Sequence, residues 1–185
     1  MKESVLIKAN AIKGTNEISM KGEIVVFGST YMANFPFYEL VNKCKFENAI
    51  YNRSIAGLTL DEAQELLQDC VLEIKPSKVF LSLGEEDADN PNAIRQYNEI
   101  VGKLRTELPN TKLYLICLTD ESEYAKRFNE NIISLCDKKK KIEYIKFAAP
   151  NLPQPAQCKA RFKQLSCFFR NKPLTMVEAF AMADL

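Results

Sequence analysis

The chain has 185 residues, a length that suits one domain, because globular domains commonly run about 100 to 200 residues. Hydrophobic residues make up 46% and charged residues 26% of it, a balance that supports a buried core and excludes wholesale disorder. Lys plus Arg total 25 and Asp plus Glu total 24, so the net charge of +1 gives no global electrostatic reason to bind nucleic acid or anionic membrane. The chain contains no histidine, which excludes every histidine-dependent catalytic triad in its usual form.

The six cysteines are scattered and include no C-x-x-C pair, so the ligand spacing of zinc and iron–sulfur sites is absent from the sequence. The first residues are charged and form no apolar leader segment, and nowhere do about 18 apolar residues run together. We therefore expect a reduced, cytoplasmic protein with no metal site, no cofactor, and no nucleic-acid or membrane partner.

Between residues 24 and 182 short β-rich runs alternate with helical patterns, the order that specifies a parallel sheet covered by helices on both faces. The predicted strands are rich in Val, Ile, Leu, Tyr and Phe and cover residues 24–27, 49–52, 79–83, 113–118 and 142–147. The predicted fold is an α/β, three-layer α/β/α sandwich with a five-stranded parallel sheet. Residues 1–23 are expected to form an N-terminal extension, a strand or a hairpin, and residues 24–185 a single domain.

Helical patterns fill the intervals between these strands. The predicted helices cover residues 60–74, 91–108, 121–136, 159–169 and 174–182. Thr59, with Glu62 three residues later, predicts a capping box at the first of them. Asn90 as N-cap and Pro91 at the first helical position predict the start of the second. The basic segment at 159–172 is interpreted as a helix that packs its phenylalanines on the sheet.

Small, hydroxyl or acidic residues follow four of the predicted strands. These segments are Gly-Ser-Thr-Tyr at 28–31, Arg-Ser-Ile-Ala-Gly at 53–57, Gly-Glu-Glu-Asp at 84–87 and Thr-Asp at 119–120. Taken singly, a glycine after a strand is usually a turn and a hydroxyl before a helix is usually a cap. In open α/β sheets, however, ligands bind outside the carboxyl ends of the strands, so the segments form one candidate site. Ser29, Asp87 and Asp120 are its candidate binding residues.

In this order and at these distances, the segments resemble the sequence blocks of the SGNH, or GDSL-type, hydrolases over roughly residues 24–147. Gly28-Ser29-Thr30 is similar to the family's first block, Gly-Asp-Ser, which places Thr30 at the nucleophile position. Residues 52–59 are similar to the second block, which places the oxyanion-hole glycine at Gly57. Residues 84–87 are similar to the third block, Gly-x-Asn-Asp, which places Glu86 at the oxyanion-hole asparagine. The resemblance implies the flavodoxin-like fold of a GDSL-type lipase, acylhydrolase or esterase.

The departures from the family pattern fall on its catalytic positions. The last block, Asp-x-x-His, has no counterpart, because the chain lacks histidine and residues 144–177 contain no Asp or Glu. Glu86 replaces an amide that would donate to the oxyanion, and losing one such donor costs about 3 to 4 kcal/mol of transition-state stabilisation. We therefore expect a catalytically impaired or inactive member of the family, whose cleft binds a small polar ligand or a protein partner.

Two alternatives remain open at this stage. In the first, the chain is an active hydrolase that uses Thr30 as nucleophile and Glu86 as base, or recruits Glu86, Asp87 and Asp120 to bind Mg²⁺ or Ca²⁺. In the second, the chain is a flavodoxin-like binder of a nucleotide or flavin, whose phosphate lies on the amides of residues 28–31 at a helix N-terminus.

Overall fold

The structure, a computed structural model, describes residues 1–42, 44, 46–147, 153–172, 176 and 179. Its centre is a five-stranded parallel sheet with the strand order β2-β1-β3-β4-β5. The strands are β1 (Ile24–Gly28), β2 (Ile50–Asn52), β3 (Lys78–Ser82), β4 (Lys112–Ile116) and β5 (Ile142–Ile145). All of the predicted strands are confirmed, with ends that lie within two residues of the expected bounds.

Helices cover both faces of this sheet, which confirms the predicted three-layer α/β/α sandwich. They are α1 (Glu3–Gly14), α2 (Thr30–Ala33), α3 (Phe37–Val41), α4 (Leu60–Leu67), α5 (Ala93–Glu107), α6 (Glu123–Ser134) and α7 (Gln154–Phe169). Residues of α1, α4, α5 and α6 form one hydrophobic core with one face of the sheet. Residues of α2, α3 and α7 form a second core with the other face. Because both faces are covered, β1 and β3 are buried at every position, and the central residues of each strand form a continuous apolar run.

The start of α4 confirms the predicted capping box. The Thr59 side chain accepts from the Glu62 backbone N–H, and the Glu62 carboxylate accepts from the Thr59 backbone N–H. The helix then continues as a single π-helical turn over Gln68–Leu72, which explains why the helical pattern in the sequence runs on to residue 74.

The start of α5 differs from its prediction, because the N-cap is Asn92 and the helix begins at Ala93. The Asn90 side chain accepts from the Asn92 backbone N–H across 2.9 Å, so Asn90 forms a turn before the helix. Its amide nitrogen also donates to the Gln96 side chain at 2.7 Å. These contacts hold Asn90 outside the helix.

The prediction of a strand or hairpin at residues 1–23 is wrong, because the segment forms α1. This helix buries Val5, Ala9 and Ile12, whose spacing places them on one helical face, and it packs against the π-helical turn. Lys2 fixes the start of the helix. Its backbone N–H donates to the Glu62 carboxylate at 2.7 Å.

Helix α7 closes the second face of the sheet. Phe162, Leu165 and Phe169 are fully buried, which confirms the predicted packing of this basic segment on the sheet. Buried Lys78, at the start of β3, donates through Nζ to the carbonyl oxygens of Phe168, Phe169 and Arg170, each at 2.9 Å, and so satisfies the C-terminus of the helix. The helix predicted at 174–182 lies outside the described residues except for positions 176 and 179. Within the described ranges, no helix is long and apolar enough to cross a membrane.

Candidate functional site

Three of the predicted site residues meet at the carboxyl ends of β1, β2 and β3. The Thr30 hydroxyl, at the start of α2, lies 2.5 Å from Glu86 Oε1 in the loop after β3. The same hydroxyl accepts from the backbone N–H of Gly57, in the loop after β2, at 2.8 Å. Since the carboxylate can only accept, Thr30 donates to Glu86 while it accepts from Gly57. We call this arrangement of Thr30, Gly57 and Glu86 the hydroxyl corner.

The loops that carry the hydroxyl corner turn at glycines. Gly57 has φ +75° and Gly84 has φ +104°, both in the left-handed region that side chains disfavour. A Cβ atom on Gly84 would lie 2.5 Å from the ring of Phe128, so this loop also packs too closely for a larger residue. Glycine is therefore needed at both positions. It lets the loop after β2 place the Gly57 N–H, and the loop after β3 place the Glu86 carboxylate, beside the end of β1.

A second carboxylate lies beside the hydroxyl corner. Glu85 Oε1 accepts from the backbone N–H of Tyr31 at 2.7 Å, so it occupies an amide at the start of α2. Burial raises the pKa of Glu85, the Tyr31 N–H opposes this, and the nearby charges of Glu86 and Asp120 raise it further. The corner is thus rich in acceptors, whereas a site for a developing oxyanion needs donors.

Ser29, Asp87 and Asp120 differ in their relation to the corner. Ser29 is fully buried, and its hydroxyl lies 3.4 Å from Glu86 Oε1. Asp87 is buried and accepts from the Leu60 backbone N–H with both carboxylate oxygens, at 3.2 and 3.1 Å, which satisfies the start of α4. Burial raises its pKa, while its bonds to Asn90 and Leu60 lower it. Asp87 therefore serves as a structural cap in this fold.

Asp120 lies after β4 on the surface and accepts from the Ser122 backbone N–H at 3.0 Å. It does not join Glu86 and Asp87 in a common ligand set. Over the part of the chain that the structure describes, no three His, Cys, Asp or Glu side chains are grouped closely enough to hold a metal ion. The geometry thus offers no support to the magnesium or calcium variant.

Sequence reasoning missed a cavity of about 550 Å³ at the carboxyl ends of β4 and β5. Asp120, Lys126, Lys146, Phe147 and Arg161 are among the residues that line it. Arg161, on α7, is only 6% exposed and donates through Nη1 to the Tyr31 hydroxyl at 2.8 Å. Its only sequence signal is a basic helix, which packing on the sheet explains equally well. A separate cavity of about 590 Å³ lies at the amino ends of β3 and β4, and none of the predicted site residues lines it.

Comparison with solved structures finds the same fold in several proteins, among them lipases and an acylhydrolase. A Streptococcus pneumonia protein with the provisional name platelet activating factor has a TM-score of 0.76 at 18% identity, over 90% of this chain and 93% of that one. The lipase/acylhydrolase from Enterococcus faecalis has a TM-score of 0.63 at 18% identity, over 83% and 99%. A GDSL-like lipase from Bacteroides thetaiotaomicron has a TM-score of 0.61 at 11% identity, over 80% and 82%.

No family profile and no curated protein matches the chain by sequence. The structural matches nevertheless confirm the fold that the resemblance implied, the α/β fold of GDSL-like lipases and acylhydrolases. A shared fold does not carry a shared activity, which depends on the residues at the site.

Proposed function

We propose that this hydrolase-fold protein is catalytically impaired or inactive toward ordinary esters and uses its cleft to bind a small polar ligand. The observation that carries the proposal is the 2.5 Å contact between Thr30 Oγ1 and Glu86 Oε1. It places a carboxylate against the hydroxyl that would attack a substrate in an active member of the fold.

The arrangement lacks the donors that ester hydrolysis needs. A tetrahedral intermediate carries negative charge on its oxygen, and preorganised N–H groups stabilise that charge. Here the Gly57 N–H already donates to the Thr30 hydroxyl, and the Tyr31 N–H donates to Glu85. Glu86 adds a negative charge at the point where a donor amide would be required. Losing one donor alone costs about 3 to 4 kcal/mol, or a factor of roughly 10² to 10³ in rate.

The arrangement also lacks a strong base. The chain has no histidine, and among the residues described, Glu86 is the main acceptor for the Thr30 hydroxyl proton, with no lysine hydrogen-bonded to it. A carboxylate is weakly basic compared with an alkoxide, so proton transfer from an alcohol to it is strongly uphill. The hydroxyl is therefore held in place without being activated.

One alternative gains support from the same contact. A nucleophile and its base must lie within hydrogen-bond reach, and Thr30 and Glu86 do. In that alternative, Thr30 attacks an activated ester while Glu86 takes its proton, and attack frees the Gly57 N–H. The flavodoxin-like alternative gains none, because Glu85 already occupies the Tyr31 amide that a phosphate would need.

Hydrolysis of p-nitrophenyl acetate and butyrate distinguishes these functions. The wild-type protein, Thr30→Ala and Glu86→Gln are compared, with Thr106→Ala on the exposed face of α5 as the matched control. We expect wild-type rates that equal those of Thr30→Ala. Robust turnover that Thr30→Ala abolishes and Thr106→Ala keeps would overturn the proposal, and its loss in Glu86→Gln would assign the base.

A further inference from the structure

The cavity at the ends of β4 and β5 contains a buried cation that has no acidic partner in the described part of the chain. Arg161 is 6% exposed, and none of the ion pairs among the described residues includes it. Its guanidinium carbon lies 5.2 Å from the ring centroid of Tyr31 and 5.5 Å from that of Phe147. Aromatic faces attract a guanidinium, but they do not neutralise its charge.

Among the described residues, the hydrogen bonds of Arg161 leave its Nε–H without an acceptor. Nη1 donates to the Tyr31 hydroxyl at 2.8 Å. The buried Nε–H has no acceptor among the residues that the structure describes. A buried donor without an acceptor costs free energy, and arginine prefers to bind planar oxyanions through two parallel N–H groups on one edge. The Nε and Nη2 edge of Arg161 is therefore suited to a carboxylate or phosphate.

The charges around the cavity favour an anion at this edge. Lys146 lines the cavity and forms no ion pair within the described part of the chain. Three acids, Asp120, Glu121 and Glu130, also line it, but all three are exposed, so water screens their charge. Arg161 is desolvated, and its attraction for an anion is therefore stronger than the repulsion from the exposed acids.

We propose that this cavity binds a small molecule through an oxyanion group, a carboxylate or a phosphate, held on the Nε and Nη2 edge of Arg161 with Lys146 as a second cation. Phe147, whose ring centroid lies 5.5 Å from the guanidinium carbon, also lines the cavity and offers an apolar wall to the rest of the ligand. This inference deepens the proposed function and rests on it, since the ligand would enter the same cleft. Tyr31 joins the two places, because its hydroxyl contacts Arg161 and its N–H binds Glu85 beside the hydroxyl corner.

Calorimetric titration with benzoate, benzamide and phenyl phosphate tests the inference. Benzoate and benzamide have nearly the same shape, so a preference for benzoate reports the charge. We expect benzoate or phenyl phosphate to bind and benzamide to bind at least about tenfold more weakly, as a charge-assisted pair predicts. Whichever of benzoate and phenyl phosphate binds more tightly identifies the oxyanion group of the ligand as a carboxylate or a phosphate.

Variants locate the binding. Arg161→Gln should weaken anion binding about tenfold, Arg161→Lys should weaken it less, and Lys146→Gln should weaken it about two- to fivefold. Lys159→Gln, an exposed cation on the same helix, is the matched control and should leave binding unchanged. If Arg161→Gln fails to fold, Arg161→Lys and the exposed Lys146→Gln carry the test.

Two outcomes overturn the inference: no anion binds, or anions bind with an affinity that none of the Arg161 and Lys146 variants lowers. Neither depends on the ester assay. If the protein hydrolyses esters and also binds the anions, only the proposed function is overturned. If it neither hydrolyses esters nor binds the anions, only this inference is overturned.

Discussion

The Thr30 hydroxyl and the Glu86 carboxylate, 56 positions apart in sequence, form a 2.5 Å hydrogen bond across the ends of two adjacent strands. Strands β1 and β3 pair in parallel with Gly28 opposite Ser82, so the loops that follow them leave the sheet side by side. The contact is thus positioned by the most buried part of the fold. The order of the strands therefore holds the Glu86 carboxylate against the Thr30 hydroxyl.

Replacing Glu85 with Gln should stabilise the protein near neutral pH. Burial raises the pKa of Glu85 in the folded state above its ordinary value. The folded protein therefore binds the Glu85 carboxyl proton more tightly than the unfolded chain does. The stability that protonated Glu85 contributes is fully present below the ordinary pKa of glutamate, and it is lost as the pH rises through the pKa of Glu85 in the folded state. Glutamine keeps an oxygen for the Tyr31 N–H and removes the buried charge.

Thermal unfolding at several pH values checks this prediction. The melting temperature of Glu85→Gln should exceed that of wild type at about pH 7, and the difference should shrink toward about pH 4. Glu65→Gln, an exposed carboxylate on α4, is the control and should show neither effect. A Glu85→Gln protein that is less stable than wild type at neutral pH would contradict the account of this carboxylate.

Alanine substitutions at three glycines should have effects of different size and sign. Gly57 has positive φ, but an added Cβ would meet only Lys2 Nζ at 3.7 Å, so Gly57→Ala should cost about 1 to 2 kcal/mol of unfolding free energy. Gly84→Ala adds a 2.5 Å clash with the ring of Phe128 and should cost about 3 kcal/mol or more. Gly102 lies inside α5 with open space around it, so Gly102→Ala should raise the free energy of unfolding by about 0.5 to 1 kcal/mol. Urea denaturation measures all three, and equal losses at Gly57 and Gly84 would refute the role of Phe128.

Helix α1 should contribute to the stability of the whole protein. Val5 is fully buried in the core that α1 forms with the π-helical turn, so Val5→Ala should lower the free energy of unfolding by about 2 kcal/mol. Leu6, the next residue, is 46% exposed, and Leu6→Ala should change it by less than about 0.5 kcal/mol. Urea denaturation again provides the measurement. Similar effects at the two positions would show that α1 does not pack as the structure has it.

Tyr97, which is fully buried, and Tyr124, which is half-buried, should respond to substitution by phenylalanine with stability changes of opposite sign. The Tyr97 hydroxyl is buried and has no hydrogen-bond partner among the described residues, so Tyr97→Phe should raise the free energy of unfolding by about 1 kcal/mol. The Tyr124 hydroxyl donates to the Gly84 carbonyl at 2.7 Å, so Tyr124→Phe should lower it by about 1 kcal/mol. Thermal unfolding compares the pair, and a loss of stability in Tyr97→Phe would reveal an acceptor that this hydroxyl uses.

The sheet and the hydroxyl corner could be predicted because their signals are local. Buried parallel strands are continuous apolar runs, and β1 and β3 show them clearly. The corner follows from the same reasoning, since segments after parallel strands converge at one edge. The choice of Thr30, Gly57 and Glu86 within these segments came from the resemblance to the SGNH hydrolase blocks, and in the structure the Thr30 hydroxyl contacts both Gly57 and Glu86.

The features that sequence reasoning missed depend on contacts between distant residues. In α1, the buried face of Val5, Ala9 and Ile12 is obscured by Leu6 and Ile7, which are 46% and 64% exposed. Arg161 is positioned by its hydrogen bond to the Tyr31 hydroxyl, 130 positions away in the sequence. No local pattern distinguishes Arg161 from the other basic residues of α7. The start of α5 is a different case, because two asparagines precede it and the local hydrogen bonds of Asn90 to Asn92 and Gln96 leave Asn92 at the N-cap.

The central claim, that Thr30 is held by Glu86 and Gly57 without becoming a nucleophile, is tested most directly with a fluorophosphonate. Such a reagent phosphonylates an activated hydroxyl, whose oxygen forms a bond to phosphorus while fluoride leaves and the hydroxyl proton passes to a base, and intact-protein mass spectrometry detects the adduct. Our account predicts that wild type gains no more adduct than Thr30→Ala. A stoichiometric adduct on the wild-type protein that Thr30→Ala eliminates would contradict it.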